Sequence, residues 1–148
     1  MTDTNDGRGG GGGDRPTLRV VSSGDLSEGT AQTPGMERFE AISGAACGST
    51  AIWMGLTRVA RQGRSADHHH GHSETAIYVV SGHPVFVVAD AAGGETRLET
   101  SPGDYVYVPP FVPHREENPS VDEEAVVVIA RTTQEAIAVN LESLQDRG

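Results

Sequence analysis

His68-His69-His70-Gly71-His72-Ser73-Glu74-Thr75 leads without a break into Ala76-Ile77-Tyr78-Val79-Val80-Ser81-Gly82. On an extended backbone residues two apart point to the same face, so His68 and His70 can present two imidazoles to one ion while His69 turns away. Glu74 follows after a break at Gly71, and an anionic ligand there would offset the charge of a dipositive ion. Downstream stands Pro102-Gly103-Asp104-Tyr105-Val106-Tyr107-Val108-Pro109-Pro110-Phe111-Val112-Pro113-His114-Arg115-Glu116-Glu117-Asn118. A tight turn, a short strand and a proline-stiffened corner can aim His114 back toward the first histidines, supplying a third imidazole.

Around these two segments the chain reads as short apolar runs separated by Gly, Pro and Asp, the punctuation of a β-sandwich or barrel. Strands are expected over 17–21, 36–42, 50–60, 75–81, 84–90, 96–100, 105–108, 124–131 and 136–141, most with Val, Ile, Tyr, Phe or Thr at alternating positions. Ala92-Gly93-Gly94 is a hairpin turn and Ser81-Gly82 ends a strand. Helix is expected only as a turn or two within 134–138 or 141–145. Trp53, Met54, Tyr78, Phe86, Tyr105, Tyr107 and Phe111 are expected mainly in the core, with one or two lining a cavity.

The 148 residues suit a single domain with its own core, and Cys47, the only cysteine, rules out an intrachain disulfide. Residues 1–16 read as a disordered Gly-rich N-terminal tail without the apolar stretch of a signal peptide, 17–141 as the domain and 142–148 as a C-terminal tail. A net charge of −10, with eleven scattered Lys and Arg, argues against nucleic acid or an anionic membrane as partner. The longest apolar run, Ala125 to Ala130, is strand-sized, so a soluble, cytoplasmic protein is expected.

The two histidine segments resemble the paired motifs of the cupin superfamily. His68, His70, Glu74 and Gly82 fill the first motif; Pro102, Gly103, Asp104, Pro109, Pro113, His114 and Asn118 fill the second. The resemblance implies an all-β fold, a single cupin double-stranded β-helix or jelly-roll barrel, with metal ligands His68, His70, Glu74 and His114. One extra residue sits in the first motif: counting forward from His68 selects Glu74 as the carboxylate ligand, and counting back from Gly82 selects Thr75. A bulge between Gly71 and Ser73 could turn Glu74 inward. Phe111 stands where many cupins carry Gly, placing an aromatic near the pocket rim.

The remaining site residues are His72 and Tyr78, expected to move protons; for His72 a fourth ligand role and plain exposure also stay open. Glu116, Glu117 and Asn118 are expected at a strand edge, and His83 on a surface strand. The ligand set suits one divalent transition metal ion, Zn first, with Fe, Mn or Ni as alternatives. One or two open coordination positions imply a small-molecule substrate. The likeness to small stand-alone bacterial cupins, among them zinc-dependent polyketide cyclases, implies a metal-dependent cyclase or isomerase acting on a carbonyl-rich substrate. A non-haem iron dioxygenase and a non-catalytic metabolite-binding module are the alternatives, and a homodimer is the expected assembly.

Overall fold

The computed structural model describes residues 15–146, so most of the expected N-terminal tail lies outside the described residues. Ten strands follow in order: β1 Met36–Ile42, β2 Trp53–Val59, β3 His68–His69, β4 Thr75–Ser81, β5 Val85–Ala89, β6 Glu95–Glu99, β7 Tyr105–Val108, β8 Arg115–Glu117, β9 Ala125–Arg131 and β10 Val139–Asn140. One sheet has the order β1-β2-β9-β4-β7, and smaller ones have the orders β6-β5-β8 and β10-β3. Bridges between Arg64 and Glu117 and between His68 and His114 join the 64–68 segment to the 114–117 segment, so the two smaller sheets make one side of a jelly-roll sandwich.

Alternation decides which side chains meet inside. On β4, Thr75, Ile77 and Val79 are buried while Ala76, Tyr78 and Val80 face outward. Ile77, Val79, Val127 and Val108 meet Phe86 from the opposite sheet, with Val106 and Ile129 packed against them. Burying each such side chain contributes about 1.5–3 kcal/mol, so this cluster fixes the spacing of the two sheets. The imidazoles occupy the neighbouring part of the same interior.

Several expectations need correction. Residues 17–21 form no strand and lie mostly exposed, because nothing packs against Leu18 or Val20. The only α-helix among the described residues is Gly44–Cys47, capped by the Ser43 hydroxyl accepting from Ala46 N, and not at the C-terminus. Leu144 is buried against Val85 and Val87 on the outer face of β5, so the packed body runs past residue 141. Tyr78, Tyr105, Tyr107 and Phe111 are exposed; only Trp53 and Phe86 of the expected aromatics are buried.

Asn118 is buried as well, its Nδ2 donating to Val59 O, Ala60 O and Glu123 O and so tying two loops together. On the outer face of β8, Arg115 forms ion pairs with Asp67 at 2.8 Å, Glu95 at 2.9 Å and Glu117 at 3.0 Å. The guanidinium is buried, so its loss would leave three carboxylates without their shared cation. Arg115→Met is expected to lower the unfolding free energy by about 3 kcal/mol. Urea denaturation at neutral pH checks this, and a loss under about 1 kcal/mol would show that the cluster behaves as an exposed surface network.

Candidate metal centre

Three histidines converge. The ligand atoms of His68, His70 and His114 all lie within 4.8 Å of one another. His68 N donates to His114 O and His114 N donates to His68 O, so backbone pairing between the two motifs brings the rings together. His70 follows His68 by two residues and turns the same way.

Hydrogen bonds set the tautomers. The Nδ1 atoms of His68 and His114 lie 2.8 Å from Ala66 O and 3.0 Å from Val112 O. A carbonyl only accepts, so both rings carry their proton on Nδ1 and present an Nε2 lone pair inward. Thr75 Oγ1 lies 3.0 Å from His70 Nδ1 and can hold that ring in the same way. The Nε2 atoms of His68 and His70 are then 3.2 Å apart, and His114 Nε2 is buried with no hydrogen-bond partner. Inward lone pairs at this spacing, one of them orphaned in the interior, are what a divalent cation satisfies.

The electrostatics fit the same use. Burial first, and then the neighbouring imidazoles, push His70 down to about 3 and hold His68 below its usual value, which keeps both rings neutral and able to ligate at pH 7. Burial acts likewise on His114, but Glu116 outweighs it and draws the ring upward. Glu116 Oε1 lies 3.8 Å from His114 Nε2, an ion-pair contact too long for a hydrogen bond. Burial opposes ionisation of Glu116, yet the three histidines hold its carboxyl below the ordinary carboxylate range.

Glu74, expected as the carboxylate ligand, lies on the outer face, exposed, and accepts from Tyr107 Oη at 2.6 Å. No bulge turns it inward; β4 begins at Thr75 and pairs regularly with β7 from there, so Thr75 takes the inner position. His72 is exposed, and Tyr78 points outward against Tyr105 with ring centroids 4.9 Å apart. Neither lines the cavity beside the histidines. His69 is buried on the opposite side, where its Nδ1 accepts from Gly71 N and its ring meets Phe111 at 5.7 Å. Phe111 has φ +61, a left-handed conformation that suits the Gly common there, and its ring lines that second face and not the histidine pocket.

Glu116 is the carboxylate the sequence reading missed. His114-Arg115-Glu116 has the same spacing of two as His68-His69-His70, and that parity places Glu116 on the face of His114. Across the sheet Glu116 pairs with Phe86, whose side chain also points inward.

A cavity of about 200 Å³ opens beside the cluster and is lined by His68, His70, Glu116, Thr75, Arg38 and Arg131, among others. A family model described as a cupin domain matches residues 55–130, the stretch that holds all three histidines.

The chain belongs to the cupin family.

Solved cupin structures share its fold. The polyketide cyclase RemF from Streptomyces resistomycificus aligns with a TM-score of 0.71 at 19% identity, covering 88% of this chain and 90% of that chain. Oxalate decarboxylase from Lactobacillus farciminis, in a formate complex, aligns with a TM-score of 0.66 at 19% identity over 80% of this chain and 34% of that chain. The Bacillus subtilis oxalate decarboxylase at pH 4.6 gives 0.63 at 24% identity over 74% of this chain and 28% of that chain. The present cupin thus spans about a third of the length of the decarboxylases, and at these identities the likeness is one of fold. No curated protein matches the chain by sequence. Among the described residues no helix is long and apolar enough to cross a membrane.

Proposed function

We propose that this cupin is a metal-dependent enzyme of small-molecule metabolism, in which His68, His70, His114 and Glu116 hold one divalent ion, with zinc the first expectation. The reaction class is cyclisation or isomerisation of a carbonyl compound. The observation that carries the proposal is the buried Nε2 of His114, without a hydrogen-bond partner among the described residues and facing two further imidazole nitrogens at the edge of a cavity. When bound, the ion supplies Lewis acidity to a carbonyl or enolate oxygen and lowers the pKa of a bound water.

The chain's own groups do the rest. Thr75 orients His70, while the carbonyls of Ala66 and Val112 orient His68 and His114. Glu116 offsets positive charge on the cluster from within the barrel. With His72 and Tyr78 outside the cavity and Glu116 taken up by the ion, proton transfer falls to the hydroxyls that line it, those of Ser73 and Thr75.

Protein purified without tag or chelator is expected to carry close to one transition-metal ion per chain by elemental analysis. Zinc-loaded protein kept free of oxygen is then expected to convert small carbonyl compounds to isomers or dehydration products. Fully active, metal-free protein would overturn the metal centre. Turnover only with iron and O₂, with oxygen entering the product, would replace the isomerase reading with the dioxygenase one, since zinc does not change oxidation state.

A further inference from the structure

Two arginines face into the histidine cavity, and among the described residues neither forms an ion pair with a carboxylate. Arg131 lies on the inner face of β9, in register with Thr75 on β4 and Trp53 on β2. Arg38 pairs on β1 with Thr57, which is buried. Both side chains line the cavity that the imidazoles and Glu116 also line. Every ion pair of an arginine among the described residues involves Arg58, Arg64, Arg97 or Arg115, and no described carboxylate comes within 4.0 Å of the Arg38 or Arg131 guanidinium. In a chain with 21 acidic residues against 11 basic ones, leaving two inward guanidiniums unpaired is not a matter of supply.

Neutral groups hold both arginines in place. Arg38 Nη1 donates to Thr33 Oγ1 at 2.7 Å. Arg131 donates from Nε to Thr133 O and from Nη2 to Gln134 O, each at 3.0 Å, and its guanidinium lies over the Trp53 ring at 3.8 Å. That stack depends on Gly55, because a side chain there would collide with Trp53 and with Phe39 O. Trp53 in turn donates to Glu40 Oε1 at 2.9 Å, which engages the carboxylate on that side. Nε and Nη2 of Arg38 and Nη1 of Arg131 make no hydrogen bond to the described residues. Two oriented cations with unused donors are a binding site for an anion, and a planar guanidinium matches the geometry of a carboxylate.

The rest of the cavity limits what that anion can be. Ala136, Ile137, Ala138 and Ile129 supply an apolar wall. A volume of about 200 Å³ falls below the roughly 300–1,000 Å³ typical of sites for drug-sized ligands. We propose that the cavity binds a small carboxylate, its charged group held by Arg38 and Arg131 and a second oxygen directed to the histidine cluster. The direction of that second oxygen rests on the metal-centre reading; the carboxylate site on the arginines does not.

Trp53 is the only tryptophan and touches Arg131, so its fluorescence reports on the site. Pyruvate and malonate are titrated against pyruvamide and malonamide, by fluorescence and calorimetry, with chelator-treated and with zinc-loaded protein. The carboxylates are expected to bind saturably and the amides at least about tenfold more weakly, since charge-assisted hydrogen bonds contribute about 1.5–3 kcal/mol. Arg131→Gln and Arg38→Gln are each expected to weaken carboxylate binding at least about tenfold in both forms while zinc affinity stays within about threefold of the parent. Thermal melts identify any variant that fails to fold; if Arg131→Gln does so, Arg38→Gln carries the comparison. Equal binding of acids and amides, no saturable binding of either acid, or unchanged affinity in the folded variants would overturn the proposal. Arginine-dependent binding by protein that takes up no zinc would instead overturn the metal centre and leave the carboxylate site standing.

Discussion

His114→Ala is expected to weaken metal binding by about 100-fold or more, whereas His69→Ala leaves the affinity within about threefold of the parent. Apparent binding energies of about 10–16 kcal/mol for a four-ligand zinc site average near 3 kcal/mol per ligand, so losing one imidazole costs about 100-fold or more in affinity. His114 is the sole imidazole from the second motif, and its Nε2 has no hydrogen bond to give up. His69 sits one strand position out of phase with the cluster, its Nδ1 already taken by Gly71 N and its ring against Phe111. Competition with a chromophoric zinc chelator measures both variants directly. Because His114 is almost fully buried, its alanine variant also leaves a void, so a melt of the chelator-treated proteins is needed to separate unfolding from ligand loss. Comparable metal loss in both folded variants would place His69 at the centre and overturn the tautomer argument.

The second large effect separates two carboxylates. Glu116→Gln is expected to weaken metal binding by about 100-fold, and Glu74→Gln by no more than about twofold, on the same per-ligand reckoning. Glutamine keeps the shape of Glu116 and removes only the charge that faces His114 at 3.8 Å. Glu74 spends its carboxylate on Tyr107 at the protein surface, where an exposed hydrogen bond contributes little. The same chelator competition decides between them, with elemental analysis of the purified variants as an independent check. A larger loss from Glu74→Gln would mean that the 71–75 segment rearranges on binding the ion.

Local sequence reached most of the way into the fold. The boundaries of β1, β4 and β7 follow from alternation and from turn residues, because a strand half-buried in a sandwich must repeat its apolar positions every second residue. The same parity made His68 and His70 legible as a pair and His114 as their partner. It failed at β3 and β8, which are short and polar, and which exist as strands because they pair with distant segments. It also promised a strand at 17–21, where apolar residues have no surface to cover them.

The sequence by itself determined an all-β chain of the cupin family with three histidines placed for one ion, since strand period, turn chemistry and motif spacing are all local properties. Only the tertiary structure decided which carboxylate and which cations join them. Thr75 and not Glu74 faces inward because β4 takes its register from β7 and β9, and one residue of register exchanges the two faces of a strand. Glu116 enters the site because β8 lies beside the 64–68 segment, and Arg38 and Arg131 line the same cavity because β1 and β9 flank β2. These neighbours are far apart in the chain, so their meeting is fixed by sheet order and by the packing of Ile77, Val79, Phe86, Val108 and Val127 between the sheets, which no local window of residues contains.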